Sequence, residues 1–168
     1  MTSDQENDTL RETHERLAEY LNELFEDPYH DPETDHFYVR YGSTVLELSA
    51  EPYGPEEAVV TIMAYCVQDV DLSEALLQGL LKLNHTIPFG SFSLVSNDIF
   101  LAHSLFGRTL SRANLLTAVS AVATLSDDYD DQIVAKYGGQ TALQRIQDTG
   151  GFARRRAVHD DPPEELEP

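Results

Sequence analysis

The apolar and polar positions of this chain follow two different periods, and the changes of period predict the order of helices and strands. Between residues 9 and 25 the apolar residues recur at helical spacing, which is typical of an amphipathic helix. They are Leu10, Leu17, Leu21 and Leu24. Asp27-Pro28 ends this helix, because a residue before proline avoids helical torsion angles. Residues 1–8 are polar and acidic, and we predict that they are disordered.

Three strands are predicted next, because the period falls to two. Apolar and polar residues alternate over 36–41 and again over 44–50, with a Gly-Ser turn between them. The third strand, residues 58–67, is apolar on both sides. One side carries Val60, Ile62, Ala64 and Cys66, and the other carries Val59, Met63, Tyr65 and Val67. Each of these two sides therefore requires a covering element or partner.

A second helix, a hairpin and a long helix complete the pattern. Ser73 can cap the second helix. Five leucines are predicted to form its buried side: Leu76, Leu77, Leu80, Leu81 and Leu83. Strands over 91–95 and 99–106 follow, and Ser111 caps a last helix that Gly138-Gly139 ends. The fold class is therefore α+β: helix, three-stranded antiparallel meander, helix, β-hairpin and long C-terminal helix.

The chain is predicted to contain one folded domain with polar ends. Its 168 residues suffice for a substantial core. We place the α+β domain at residues 9–138, after the acidic N-terminus of residues 1–8. Residues 139–168 follow, with a short helix predicted at 141–146 and then a disordered acidic tail.

Charge and hydropathy limit the classes of partner that this protein is expected to bind and the compartments in which it is expected to work. No apolar run approaches the roughly 20 residues that span a bilayer, and the N-terminus lacks a signal-peptide pattern, so a cytoplasmic location is expected. The formal net charge of -19 comes from 30 acidic and 11 basic residues. Such a surface repels phosphates, so neither nucleic acid nor a membrane is an expected partner.

Metal sites are not predicted from the histidines or the acidic residues. The six histidines form no HExxH motif and no helical pair. His30 and His36 flank an acidic segment, where a solvated loop is favoured over a metal contact. The densest acidic cluster contains Asp127, Asp128, Asp130 and Asp131. It lacks the alternating ligands and central glycine of a calcium loop, so a solvated or ion-pairing face is favoured.

Catalytic motifs are not found in the sequence either. There is no GxSxG motif and no glycine-rich phosphate loop. Cys66 lies within an apolar strand, which favours a buried structural thiol over a reactive nucleophile. The sequence therefore predicts a protein that is not an enzyme and holds no cofactor or metal.

Two segments resemble a known family. LLKLNHTIPFGSFSL is similar to the second helix, Pro-Phe-Gly turn and fourth strand of the YbjN-like and type III secretion chaperone-like (CesT-like) domains of bacteria. DDYDDQIVAKYGG is similar to the end of their final helix. The order of elements over residues 9–138 also matches. The resemblance implies a non-catalytic, chaperone-like adaptor that binds a peptide or protein client, in a family whose members often form dimers.

The apolar outer side of the third strand is the candidate client or dimer surface. It contains Met63, Tyr65 and Val67, and aromatic and methionine side chains are enriched at such surfaces. One alternative is that the first helix or the C-terminal segment covers these residues. Another is a homodimeric structural or regulatory module of the YbjN type, described as sensory-transduction regulators, in which a second copy covers them and no client is held.

Salt is expected to stabilise the folded chain, because screening relieves repulsion among its excess acidic residues. We predict that the melting temperature rises as KCl is increased from low to molar concentration, as it would in a protein of a salty cytoplasm. Thermal unfolding followed by circular dichroism measures this. A flat or falling curve would contradict it and leave the acidic residues a solubilising role.

Overall fold

A computed structural model describes residues 2–42, 44–142 and 144, with side chains from residue 8 onward, and it confirms the predicted α+β architecture. The helices are α1 (Thr2–Leu24), α2 (Glu74–Thr86) and α3 (Arg112–Tyr137). The strands are β1 (Tyr29–Asp31), β2 (His36–Tyr41), β3 (Thr44–Pro52), β4 (Ala58–Gln68), β5 (Ser91–Val95), β6 (Asp98–Phe106) and β7 (Gln140–Thr141).

All seven strands belong to one antiparallel sheet with β4 at its centre. The order is β1-β2-β3-β4-β6-β5, and β7 pairs with the last residues of β4. Residues 58–64 of β4 pair with β3 on one side, and residues 59–67 pair with β6 on the other. In the sheet, β4 lies between the rest of the meander and the hairpin. Its two sides therefore form the middle of the two faces of the sheet.

Helices α1 and α3 cover one face of the sheet and form the core with it. Leu17 and Leu21 of α1 are fully buried there, as are Leu115 and Val119 of α3. They pack against the predicted inner side of β4, and Val60, Ile62, Ala64 and Cys66 are all fully buried. Burial of each large aliphatic side chain contributes about 1.5–3 kcal/mol, so this layer supplies much of the stability of the fold.

Cys66 is a buried structural thiol, as predicted. Its Sγ lies 3.1 Å from the hydroxyl oxygen of Ser126 on α3. Burial raises the pKa of the Cys66 thiol to about 12, so it stays protonated and unreactive near neutral pH.

The ends of the chain differ from the predicted pattern. The backbone of α1 is helical from Thr2, within the segment predicted to be disordered. The prediction missed this part of the helix because residues 1–8 are polar and show no apolar stripe. Strand β1 occupies part of the predicted loop after α1, where pairing with β2 stabilises it. Thr141 belongs to β7 rather than to a helix, whereas Ala142 and Gln144 are helical. The predicted acidic tail lies outside the described residues.

One side chain closes the edge of the sheet at β5. The Asn84 amide, near the end of α2, donates to the carbonyl oxygen of Phe92 at 3.0 Å and accepts from its backbone N–H at 2.7 Å. Asn84 thus supplies the two hydrogen bonds that a further strand would make at this position. Blocking an edge in this way protects a sheet from strand addition.

We predict that Asn84→Ala lowers the free energy of unfolding by about 1–3 kcal/mol, because it leaves partly buried backbone groups unpaired. Urea denaturation measures the loss. Gln78→Ala, which removes only an exposed hydrogen bond to Glu74 on the same helix, serves as the control and should change stability by less than about 0.5 kcal/mol. Equal effects of the two substitutions would contradict this role of Asn84.

Candidate functional site

The face of the sheet opposite the helices carries a group of side chains that we call the second face. Directly paired residues of antiparallel strands point to the same side, so the register defines its members. They include His36, Tyr38, Arg40, Val45, Glu47, Ser49, Glu51, Val59, Thr61, Met63, Tyr65, Phe100, Ala102, Ser104 and Phe106. Among the described residues, none of these packs into the core cluster with the helices. The second face is therefore a surface separate from the core.

Two of the three predicted surface residues, Met63 and Tyr65, lie together on the second face. Both are half-buried, and they occupy alternate positions of β4. Met63 lies opposite Glu47 of β3 on one side and opposite the small side chain of Ala102 of β6 on the other. Met63 can therefore contact a ligand on this face.

Val67, the third predicted surface residue, is not accessible, and its inclusion was wrong. A β-bulge shifts the register after Tyr65, so that Val67 pairs with Ile99 and turns into the core. It is 0% exposed. Alternation with period two placed it outside, but one extra residue in a bulge reverses the side of every residue that follows.

A buried carboxylate organises the middle of the second face. Glu47 accepts a hydrogen bond from the Tyr65 hydroxyl at 2.7 Å, and its other oxygen lies 2.7 Å from Nδ1 of His36. Three neighbouring strands each supply one of these residues. The hydrophobic pattern of the sequence does not predict this cluster. Its only signal was an acidic residue at an outward position between apolar neighbours.

Tyr65 is held as a hydrogen-bond donor between Glu47 and an aromatic neighbour. Burial raises the pKa of the Tyr65 hydroxyl far above its usual value, and the nearby Glu47 carboxylate adds to this effect. The Tyr65 ring meets Phe100 edge-to-face, with centroids 4.9 Å apart. Phe100 is only 3% exposed. This half of the second face is therefore well packed, whereas the half beyond Met63 ends in Phe106, which is 60% exposed.

A second exposed apolar surface lies on α2. Leu76 and Leu80 are buried as predicted, but Leu77 and Leu81 point to solvent, and Leu81 is 70% exposed. The prediction that all five leucines face the core was wrong, because an apolar stripe of that width exceeds what one side of a short helix can bury. Such exposed leucines mark a contact surface when they are adjacent, and residues four apart on a helix are neighbours.

The histidines that flank the acidic loop point to opposite sides of the sheet. His36 lies on the second face beside Glu47, whereas His30 pairs in register with Phe37 on the core side. His30 instead meets His14 of α1 and Asp35. Within the described part of the chain, these three residues form the one group whose atoms are placed to hold a metal ion.

The acidic cluster on α3 is spread over the surface of the helix. Asp127, Asp128 and Asp131 are exposed, in agreement with the predicted solvated or pairing face. Asp130 is half-buried, and burial raises its pKa to about 6. These residues do not converge on one another as calcium ligands would.

The comparison with protein families gives one match that covers most of the chain. The model described as T3SS (YopN, CesT) and YbjN peptide-binding chaperone 1 matches residues 11–145. This confirms the resemblance that the segments LLKLNHTIPFGSFSL and DDYDDQIVAKYGG indicated. Among curated proteins, no sequence is similar enough to match.

Two solved structures share the fold. A chain of the crystal structure of the ExsC-ExsE complex aligns with a TM-score of 0.57 at 12% identity, over 74% of this chain and 95% of that chain. A chain of the HopA1-SchA chaperone-effector complex aligns with a TM-score of 0.50 at 14% identity, over 78% and 98%. At such low identity the likeness shows the fold alone. No helix among the described residues is apolar over a length that would cross a membrane.

The hydrogen bond between Tyr65 and Glu47 is expected to be a strong one, because its acceptor is a buried carboxylate. We predict that Tyr65→Phe lowers the free energy of unfolding by about 1–3 kcal/mol. Tyr41→Phe, on the exposed end of β2, is the control and should be nearly neutral. In a double-mutant cycle with Glu47→Gln, the two losses should be less than additive. Additive losses would contradict the pairing.

Proposed function

Because the chain belongs to the family of T3SS (YopN, CesT) and YbjN peptide-binding chaperones, we propose that it binds an extended segment of a client protein, without catalysing a reaction on it. The binding surface is the exposed half of the second face, around Met63 and Phe106. We place the protein in the cytoplasm, a reducing compartment in which its single, buried cysteine stays a free thiol.

The observation that carries this proposal is the arrangement of large and small side chains across β4 and β6. Phe100 and Phe106 of β6 are separated by two small residues on the same face, Ala102 and Ser104. These small residues lie opposite Met63 and Thr61 of β4. Ala102 and Ser104 fill less space above the sheet than the two aromatic rings, so we infer room here for a client side chain beside Met63, whose flexible side chain adapts to different partners.

The spacing of side chains in an extended client segment suits this position. Alternate side chains of a strand point to the same side, so two of them can enter beside Met63 while the residue between them faces solvent. Recognition of this kind uses pockets for alternate side chains. The net charge of -19 further favours a segment that carries basic residues, since charge complementarity steers association.

Self-association is the second candidate, and the exposed leucines of α2 favour it. Leu77 and Leu81 form an apolar pair on the helix surface, which a second copy of the chain would bury. In this case the protein is a homodimeric structural or regulatory module. Light scattering on a sizing column separates the candidates: a dimer that Leu81→Gln converts to a monomer supports self-association through α2.

We predict that Met63→Gln weakens client binding by roughly tenfold, because burial of a methionine side chain at an interface is worth about 1.5 kcal/mol or more. Glutamine preserves the volume and avoids a negative charge opposite Glu47, which Met63→Asp would introduce. Clients are first captured from native lysate by the wild-type protein. The dissociation constant of the captured segment is then measured by fluorescence anisotropy.

The matched control is Leu81→Gln, which makes the same kind of change on the exposed side of α2. It should leave client affinity unchanged. Circular dichroism and urea unfolding must first show that both variants keep a cooperative fold. Equal affinity of wild type and Met63→Gln, with weaker binding by Leu81→Gln, would move the client site from the second face to α2.

A further inference from the structure

Three metal-ligating side chains from separate parts of the chain converge where α1 meets the turn between β1 and β2. Nε2 of His30 lies 2.7 Å from Oδ1 of Asp35, and Nε2 of His14 lies 3.0 Å from the same oxygen. All three ligand atoms lie within 4.8 Å of one another. We propose that His14, His30 and Asp35 bind one zinc ion.

The His14 nitrogen is the observation that separates this group from an ordinary histidine-carboxylate contact. Its Nε2 is shielded from solvent, and the described residues give it no aligned hydrogen-bond partner, although Asp35 is near. Because its 3.0 Å contact with Asp35 is not aligned as a hydrogen bond, this shielded nitrogen is poorly satisfied. A metal ion placed between the three ligand atoms would satisfy it.

The surrounding residues hold the two rings in place. Phe37 packs against both imidazoles, with centroid distances of 4.8 Å to His14 and 4.7 Å to His30. Asp35 has a positive φ of 61°, and its backbone N–H donates to the carbonyl oxygen of Asp31 at 2.8 Å. The carboxylate is thereby turned back toward the histidines. A preformed arrangement of this kind lowers the cost of ordering the ligands when the ion binds.

Two imidazoles and one carboxylate form a donor set that suits zinc. Zinc takes nitrogen and carboxylate ligands at about 2.0–2.2 Å in a tetrahedral arrangement, which places neighbouring ligand atoms about 3.3 Å apart. The separations of 2.7 and 3.0 Å would need to widen by roughly 0.6 and 0.3 Å. The exposed positions of His30 and Asp35 leave the fourth coordination position to water.

The bound ion would join α1 to the sheet. His14 belongs to the helix that covers the core, whereas His30 lies on the edge strand β1 and Asp35 in the turn that follows it. Since zinc binds this folded arrangement in preference to the unfolded chain, it should raise the melting temperature. This role is independent of client binding on the second face.

The test is isothermal titration of ZnCl2 into the full-length, untagged chain at 0.15 M KCl, with millimolar Mg²⁺ present to occupy the acidic surface. We expect one site with a dissociation constant of 10 μM or tighter by order of magnitude. His30→Gln and Asp35→Asn should each weaken binding at least tenfold. His85→Gln is the matched control, because His85 is an exposed histidine at the end of α2, and it should bind zinc like wild type.

A second measurement tests His14 without replacing it, because a substitution there would disturb the packing of the ring on Phe37. Imidazole nitrogen NMR signals of the wild-type chain are assigned and followed during the titration. The signals of His14 and His30 should shift together at one equivalent of zinc. The proposal is overturned if zinc shifts other histidines instead, if His85→Gln weakens binding as much as His30→Gln, or if no saturable site appears.

Discussion

The requirement that the central strand bury apolar side chains on both of its faces determines the rest of this structure. On the inner face, Val60, Ile62 and Ala64 of β4 are covered by α1 and α3, and this layer forms the core. On the outer face, no described helix covers β4, and neighbouring side chains bury its apolar residues only in part. One half is closed by Tyr65 and Phe100, and the other half keeps Met63 and Phe106 accessible. A partly covered apolar surface on a strongly acidic protein suits a binding module.

The buried Glu47 cluster explains how this surface can be both polar and rigid. Glu47 joins His36 of β2 to Tyr65 of β4 through two short contacts of 2.7 Å each. A buried carboxylate is tolerated only when its oxygens are paired, and its loss of one partner is costly. The cluster therefore links three strands to one another on the face that no described helix covers. The cluster also supports the neighbouring Met63, so that binding at the proposed surface would not need to order the sheet first.

Local sequence rules predicted the elements of this fold well, and they failed where distant residues decide the outcome. Ser73 and Ser111 cap α2 and α3 as expected, and Gly90 takes the positive φ that the Pro-Phe-Gly turn requires. The side of Val67 was wrong, because the bulge that turns it inward depends on the pairing of β4 with β6. The cluster of His14, His30 and Asp35 was equally invisible to spacing rules, since the helix and the edge strand meet only in the folded chain.

Site-specific photocrosslinking tests whether a client segment lies on the second face beside Met63. A photoreactive amino acid is placed at position 63 in one variant and at position 78 on α2 in another, and both are illuminated in native lysate. If the client segment lies there, adducts with one or a few proteins form from position 63 alone. Adducts with the chain itself at position 63, or with the same proteins from position 78 alone, would rule out this placement.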